Sequence, residues 1–163
     1  MSAVKRIKVK NRLAAVVRMP GGKTVAEAVA GAELQLEAIK DDCVSALDAS
    51  LAAMNLVANS LKAGHKPEQL SELYDLANDV IGVASVAGHG SVGDAAYSLC
   101  ELLDNFMEAS QWNWAAVEVH MNGLKLLRAM GDKLGEAERE QVLEGLRAVV
   151  RRLGGGDSEP QVA

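Results

Sequence analysis

Aromatic residues are almost missing from this chain: Phe, Trp and Tyr together make up 3% of its 163 residues. The apolar mass is instead Ala, Leu and Val, which suits helices packed at short distances. β-Rich domains draw more heavily on Thr, Tyr, Phe and Ile. Proline is equally sparse, with three in all, so long helical runs are uninterrupted. No apolar run approaches the roughly 20 residues of a membrane-spanning helix. The basic N-terminus, MSAVKRIKVKNRLAAVV, is followed by no long apolar core and does not read as a secretory signal. Only two cysteines are present, Cys43 and Cys100. Both fall on apolar helical stripes, and neither has a second Cys or His at ligand spacing. They read as buried, reduced thiols of a cytoplasmic protein, with no metal and no cofactor expected.

Acid is missing from the N-terminus. Before Glu27 stand Lys5, Arg6, Lys8, Lys10, Arg12, Arg18 and Lys23, with no Asp or Glu. The remaining ten bases and twenty-two acids leave a formal −12, within a whole-chain charge of −5. The chain is therefore an acidic body with a basic arm at residues 1–23. Bases without interleaved aromatics do not read as a nucleic-acid surface, and none is expected to bind.

The body, residues 24–153, is patterned for helices. Thr24 and Glu27 stand at capping-box spacing. From there Leu36, Ile39, Cys43, Leu47, Leu51, Met54, Ala58 and Leu61 recur every three or four residues, one stripe of a helix reaching about Ala63. Gly64-His65-Lys66-Pro67 ends it, with His65 a loop residue. A second helix runs from Pro67 to about Ala87, with Leu70, Leu73, Ala77, Val80, Ala84 and Ala87 inward and Tyr74, Asn78, Ile81, Gly82 and Ser85 away from the core. Gly88-His89-Gly90 is the turn, and Ser91 is the expected cap of a third helix reaching about Ala109. A fourth starts near Gln111–Asn113 and ends at Met130. A fifth, 136–153, precedes a Gly-rich tail at 154–163. The expected fold is all-α: an antiparallel four-helix bundle with an extra C-terminal helix set against its side or used in self-association.

The second helix is unusually poor in bulk. Ala77-Asn78-Asp79-Val80-Ile81-Gly82, with Gly88 six positions later, resembles the signature of histidine phosphotransfer (HPt) domains. That signature is Ala-His, two residues, Lys-Gly, then a second Gly. Ser98-Leu99-Cys100 with Leu102-Leu103, and Val119-His120-Met121-Asn122-Gly123-Leu124, also resemble the bacterial members of the family. The likeness covers about residues 32–130. It implies a four-helix bundle working in a two-component phosphorelay, with a response-regulator receiver domain or a histidine kinase as partner.

The departures matter as much as the match. The family's phosphoacceptor histidine falls on Asn78, and its helping lysine falls on Ile81. Attack on an aspartyl phosphate needs an imidazole lone pair, and an amide nitrogen has none to offer. The resemblance thus implies a pseudo-phosphotransfer protein, not an enzyme, that binds its partner through Asn78, Ile81, Gly82, Ser85 and Tyr74. In that reading Ile81 is an exposed apolar anchor, Gly82 lets a partner approach, and Gly88 supplies the turn. Two alternatives remain open from the sequence. One is phosphotransfer at another histidine, His120 or His89. The other is a structural, self-associating bundle with no phosphorelay role, built on the fifth helix and Trp112 or Trp114.

Overall fold

Caps and breakers set the elements. The computed structural model describes residues 21–64 and 66–154, so the basic arm up to residue 20, His65 and the tail from 155 lie outside the described residues. Helix α1 is Val25–Ser60, α2 is Pro67–Ala84, α3 is Gly90–Ala109, α4 is Trp114–Met130 and α5 is Glu136–Gly154. One-turn 3₁₀ segments follow α1 (Leu61–Ala63) and α4 (Gly131–Lys133). No strand occurs among the described residues, so the fold is all-α.

Two units are distinguished, the second beginning at Ala38. In the first, the capping box at Thr24 forms as the spacing predicts. The Glu27 carboxylate accepts from Thr24 N–H at 2.7 Å, and Thr24 Oγ1 accepts from Glu27 N–H at 3.2 Å. Those bonds hold the Glu27 carboxyl below its ordinary value.

The remaining helix ends lie in the second unit. Pro67 occupies the first turn of α2, where its missing N–H costs nothing. Asn113 caps α4 by accepting from Ala116 N–H at 3.2 Å. Helix α2 is regular to Ala84, and one more helical turn carries the chain to Ala87, whose N–H donates to Val83 O at 3.0 Å, before a Schellman motif closes it. His89 N–H donates to Ala84 O at 2.8 Å, Gly88 N–H donates to Ser85 O at 3.1 Å, and Gly88 has φ +79°. Ser91 is not the cap of α3: that helix already begins at Gly90, with His89 in the N-cap position and no capping side chain.

The core is centred on α3. Val92, Ala95, Ala96, Leu99, Leu102 and Leu103 are fully buried. Helix α3 packs against α2, α4 and α5. Small residues let α2 come close: a Cβ added at Gly93 would stand 3.4 Å from the Ala84 methyl. Helix α5 also packs directly on α3 and α4, and buries Leu143, Leu146 and Val150. At its closest approach a Cβ on Gly123 would stand 3.1 Å from Leu146 Cδ1.

The stripe along α1 is only half used. Leu47, Met54 and Ala58 are buried, and so is Leu61 just beyond the helix. Cys43 is half-buried rather than buried. Leu36 and Ile39, expected in the core, remain 50% and 46% exposed. Periodicity reports which side of a helix is apolar, and says nothing of whether a neighbour covers it. No helix of the described residues is long and apolar enough to cross a membrane.

Candidate functional site

Helix geometry brings together four α2 residues and Ser85, the C-cap that continues the helical path. At about 100° per residue, Tyr74, Asn78, Ile81, Gly82 and Ser85 fall within an arc of roughly 100°. That arc flanks the core face and borders the seam with α3. Asn78, Gly82 and Ser85 are exposed, while Tyr74 and Ile81 are half-buried and pack on the core. Ile81 is therefore not the freely exposed anchor that the sequence suggests. The Ile81 backbone also lies against α3: a Cβ added at Gly93 would stand 3.9 Å from the Ile81 carbonyl oxygen.

Gly82 sits in open space: a Cβ added there would meet nothing within 4 Å. The packing of this chain gives no reason for a glycine in the last turn of α2, where an interior glycine costs up to about 1 kcal/mol relative to Ala. Gly31 and Gly145 are equally open, so openness alone does not single Gly82 out. Its neighbours do: the exposed polar groups of Asn78 and Ser85 lie on either side of it, one turn away.

The seam beside this surface is electrostatically quiet. The Cys100 thiol donates to the Tyr74 carbonyl oxygen at 3.9 Å. Burial, with the Asp104 and Glu101 charges behind it, pushes the thiol up to about 11. The Asp104 carboxylate, and after it Cys100, raises the Tyr74 phenol above its ordinary value. Neither group supplies a nucleophile near neutral pH.

Two histidines lie among the described residues, His120 and His89. His120 is fully buried. Its Nδ1 lies 2.9 Å from the Ala116 carbonyl oxygen, which can only accept, so the proton is on Nδ1. Nε2 then accepts from the Ser98 hydroxyl at 3.1 Å. Seen by distance alone this is a Ser–His pair. Ser98 is only 2% exposed, however, and the pair is sealed inside the core. Desolvation lowers the His120 pKa, partly opposed by the Ala116 bond, and keeps the ring neutral. His89 is half-buried at the start of α3, and its Cε1 lies 3.7 Å from where a Gly131 Cβ would stand.

Nothing among the described residues resembles a metal centre: no three of His, Cys, Asp and Glu converge. Trp112 packs edge-on against Phe106, with centroids 5.7 Å apart, and Lys62 lies over the Trp114 ring at 5.2 Å. Two surface hollows stand apart from the α2 residues. One, of about 420 Å³, lies between α4 and α5 and is lined by Val119, Val149, Arg152 and Leu153 among others. The other is a shallow trough between α1 and α4.

Sequence reasoning missed three positions that shape these surroundings. Ser98 is the hydrogen-bond partner of His120, and a polar residue on an apolar stripe was its signal. Gly93 and Gly123 are the close-contact glycines of the fold, whereas attention falls naturally on Gly82. No protein-family model matches the chain, and neither does any curated protein or solved structure.

Proposed function

We propose that this chain is a cytoplasmic pseudo-phosphotransfer protein of the HPt type, with α1–α4 as its four-helix bundle and α5 as an addition. It binds a receiver domain or a histidine kinase through the exposed edge of α2 and does not accept the phosphoryl group. The observation that carries this reading is the open, low-bulk surface of Asn78, Gly82 and Ser85 on a helix whose residue pattern resembles the family's docking helix. A surface without long side chains admits a partner's backbone at short range. An amide at Asn78 can donate and accept hydrogen bonds, but it cannot attack phosphorus.

The test is a binding and phosphotransfer screen against receiver domains carrying a labelled aspartyl phosphate. Binding without transfer of label is the expected result. Gly82→Arg is expected to weaken that binding by at least about tenfold, or 1.4 kcal/mol, with the helical spectrum unchanged. Gly82 is a better probe than Ile81, because Ile81→Asp would place a charge against the core. Label that stays on the chain and is lost in His89→Ala would overturn the reading. So would the absence of any receiver or kinase partner.

A further inference from the structure

Helix α4 is apolar on both sides. Of its 17 residues only Glu118, Lys125 and Arg128 are charged. Val117, His120, Leu124 and Leu127 are buried in the core. The opposite side is exposed and carries Ala115, Val119, Asn122, Leu126, Ala129 and Met130. At about 100° per residue these six span an arc of roughly 100° and about four turns. Val119, Leu126 and Met130 are 46%, 43% and 37% exposed, and Asn122 is the one polar member. Helices α2 and α3, by contrast, each expose four carboxylates. An outward face of this length without a charge is a contact surface, not a solvated one.

The relief and the charges of this face are self-complementary. One end is hollow: the 420 Å³ between α4 and α5 is lined by Ala115, Ala116, Val119, Val149 and Leu153, with Asn113 and Arg152 as its polar members. The other end carries the larger exposed side chains, Leu126 and Met130. Ala115, Val119, Asn122, Leu126 and Ala129 recur at spacings of four, three, four and three, those of a two-helix seam. Glu118 and Lys125 border the seam on one side, seven residues apart, and both are exposed. Neither forms an ion pair among the described residues. Lys62, which shares a small hollow with them, stands over the Trp114 ring. The other border is closed by α5, whose Leu146 lies against Gly123.

We infer that a second copy of the chain covers this face, the two α4 helices packing antiparallel about a two-fold axis near their middles. Seam positions then meet in two kinds of layer, Ala115 with the partner's Leu126 and Val119 with the partner's Asn122, each formed twice. The partner's Leu126 comes to the hollow end, and the partner's Lys125 comes opposite Glu118. Like borders meet in an antiparallel pair and run in opposite directions, so an acid and a base seven residues apart on one border pair with each other twice. A parallel pair would set that border against the side closed by α5. The contact is isologous and closes at two copies. It uses neither α2 nor its exposed edge, so it goes beyond the proposed function and does not depend on it.

Sedimentation equilibrium of the full chain, from low to high micromolar concentration, tests the inference. A closed dimer is expected. Leu126→Glu changes an exposed position and is expected to stay monomeric where wild type pairs, with its helical spectrum unchanged. Charge reversals make the test specific to the antiparallel arrangement. Glu118→Lys sets base against base at both contacts, and Lys125→Glu sets acid against acid. Each alone is expected to dimerise about tenfold more weakly than wild type at low salt. Carried together on one chain, the two reversals restore both pairs with their signs exchanged, and dimerisation is expected to return to the wild-type level. An equimolar mixture of the two single variants is expected to recover in the same way, as a heterodimer. A wild-type monomer across the range would overturn the inference. So would a dimer that survives Leu126→Glu, assembly beyond two copies, or a double reversal as weak as the single ones.

Discussion

His120 shows how much a single residue type can mislead. A histidine on a helix is a reactive group only if something can reach it. Here both ring nitrogens are satisfied by Ser98 and Ala116, and the ring is dry. The folded protein holds it neutral, with a pKa below the unfolded value near 6.5. Below that value the unfolded chain binds a proton that the folded chain resists, so stability falls as pH drops. Urea unfolding at pH 7.5 and at pH 5.5 should show this loss in wild type. His120→Leu should cost stability at pH 7.5, since it strands the Ser98 hydroxyl at about 1–3 kcal/mol, yet it should show a smaller drop toward pH 5.5. An equal drop in both would mean that other groups carry it. The cysteines part in the same way. With a thiol pushed up to about 11, Cys100 is thiolate in only about one molecule in a thousand at pH 8. Iodoacetamide should therefore alkylate half-buried Cys43 first, and reach Cys100 only after denaturation.

At the scale of elements, the helices themselves were legible because their signals are local. The Thr24–Glu27 box, Pro67, Gly88 and Asn113 act within one turn of where they stand, and each sits at the boundary its chemistry predicts. Coverage of a face is a different matter. Leu36 and Leu47 lie on the same stripe, yet one is half exposed and the other buried. That difference depends on neighbours distant in sequence. The same limit applies to Ile81, which packs on the core and whose backbone lies against Gly93 of α3, twelve residues away. The candidate surface could be read from spacing as far as Asn78, Gly82 and Ser85. The half-buried state of Tyr74 and Ile81 could not. Glycines divide along the same line. Gly82→Ala should raise stability by about 0.4–1 kcal/mol, as it removes chain entropy and meets no atom. Gly123→Val should lower it by about 1–3 kcal/mol, because the space is taken by the Leu146 side chain. Thermal melts of the two variants side by side would expose an error if both moved in the same direction.

Across the whole molecule, the tight seam between α2 and α3 bears on how the chain folds. These helices are consecutive, are joined by a five-residue Schellman turn, and meet through Ala84 and Gly93. Bringing them together closes only a short loop, so the entropy of closure is small and the contacts are rewarded early. Helix α5 is joined to α4 by an equally short segment, residues 131–135, but its contact with α3 closes across the whole of α4. Truncations at Val80 or Leu99 are therefore expected to slow refolding. Truncations at Leu146 or Val150 should leave refolding rates nearly unchanged and speed unfolding instead. Stopped-flow chevrons of the four variants would decide this. Refolding slowed most by the α5 changes would contradict it. If the hairpin does form first, the edge of α2 takes its final shape while the rest of the chain is still being assembled.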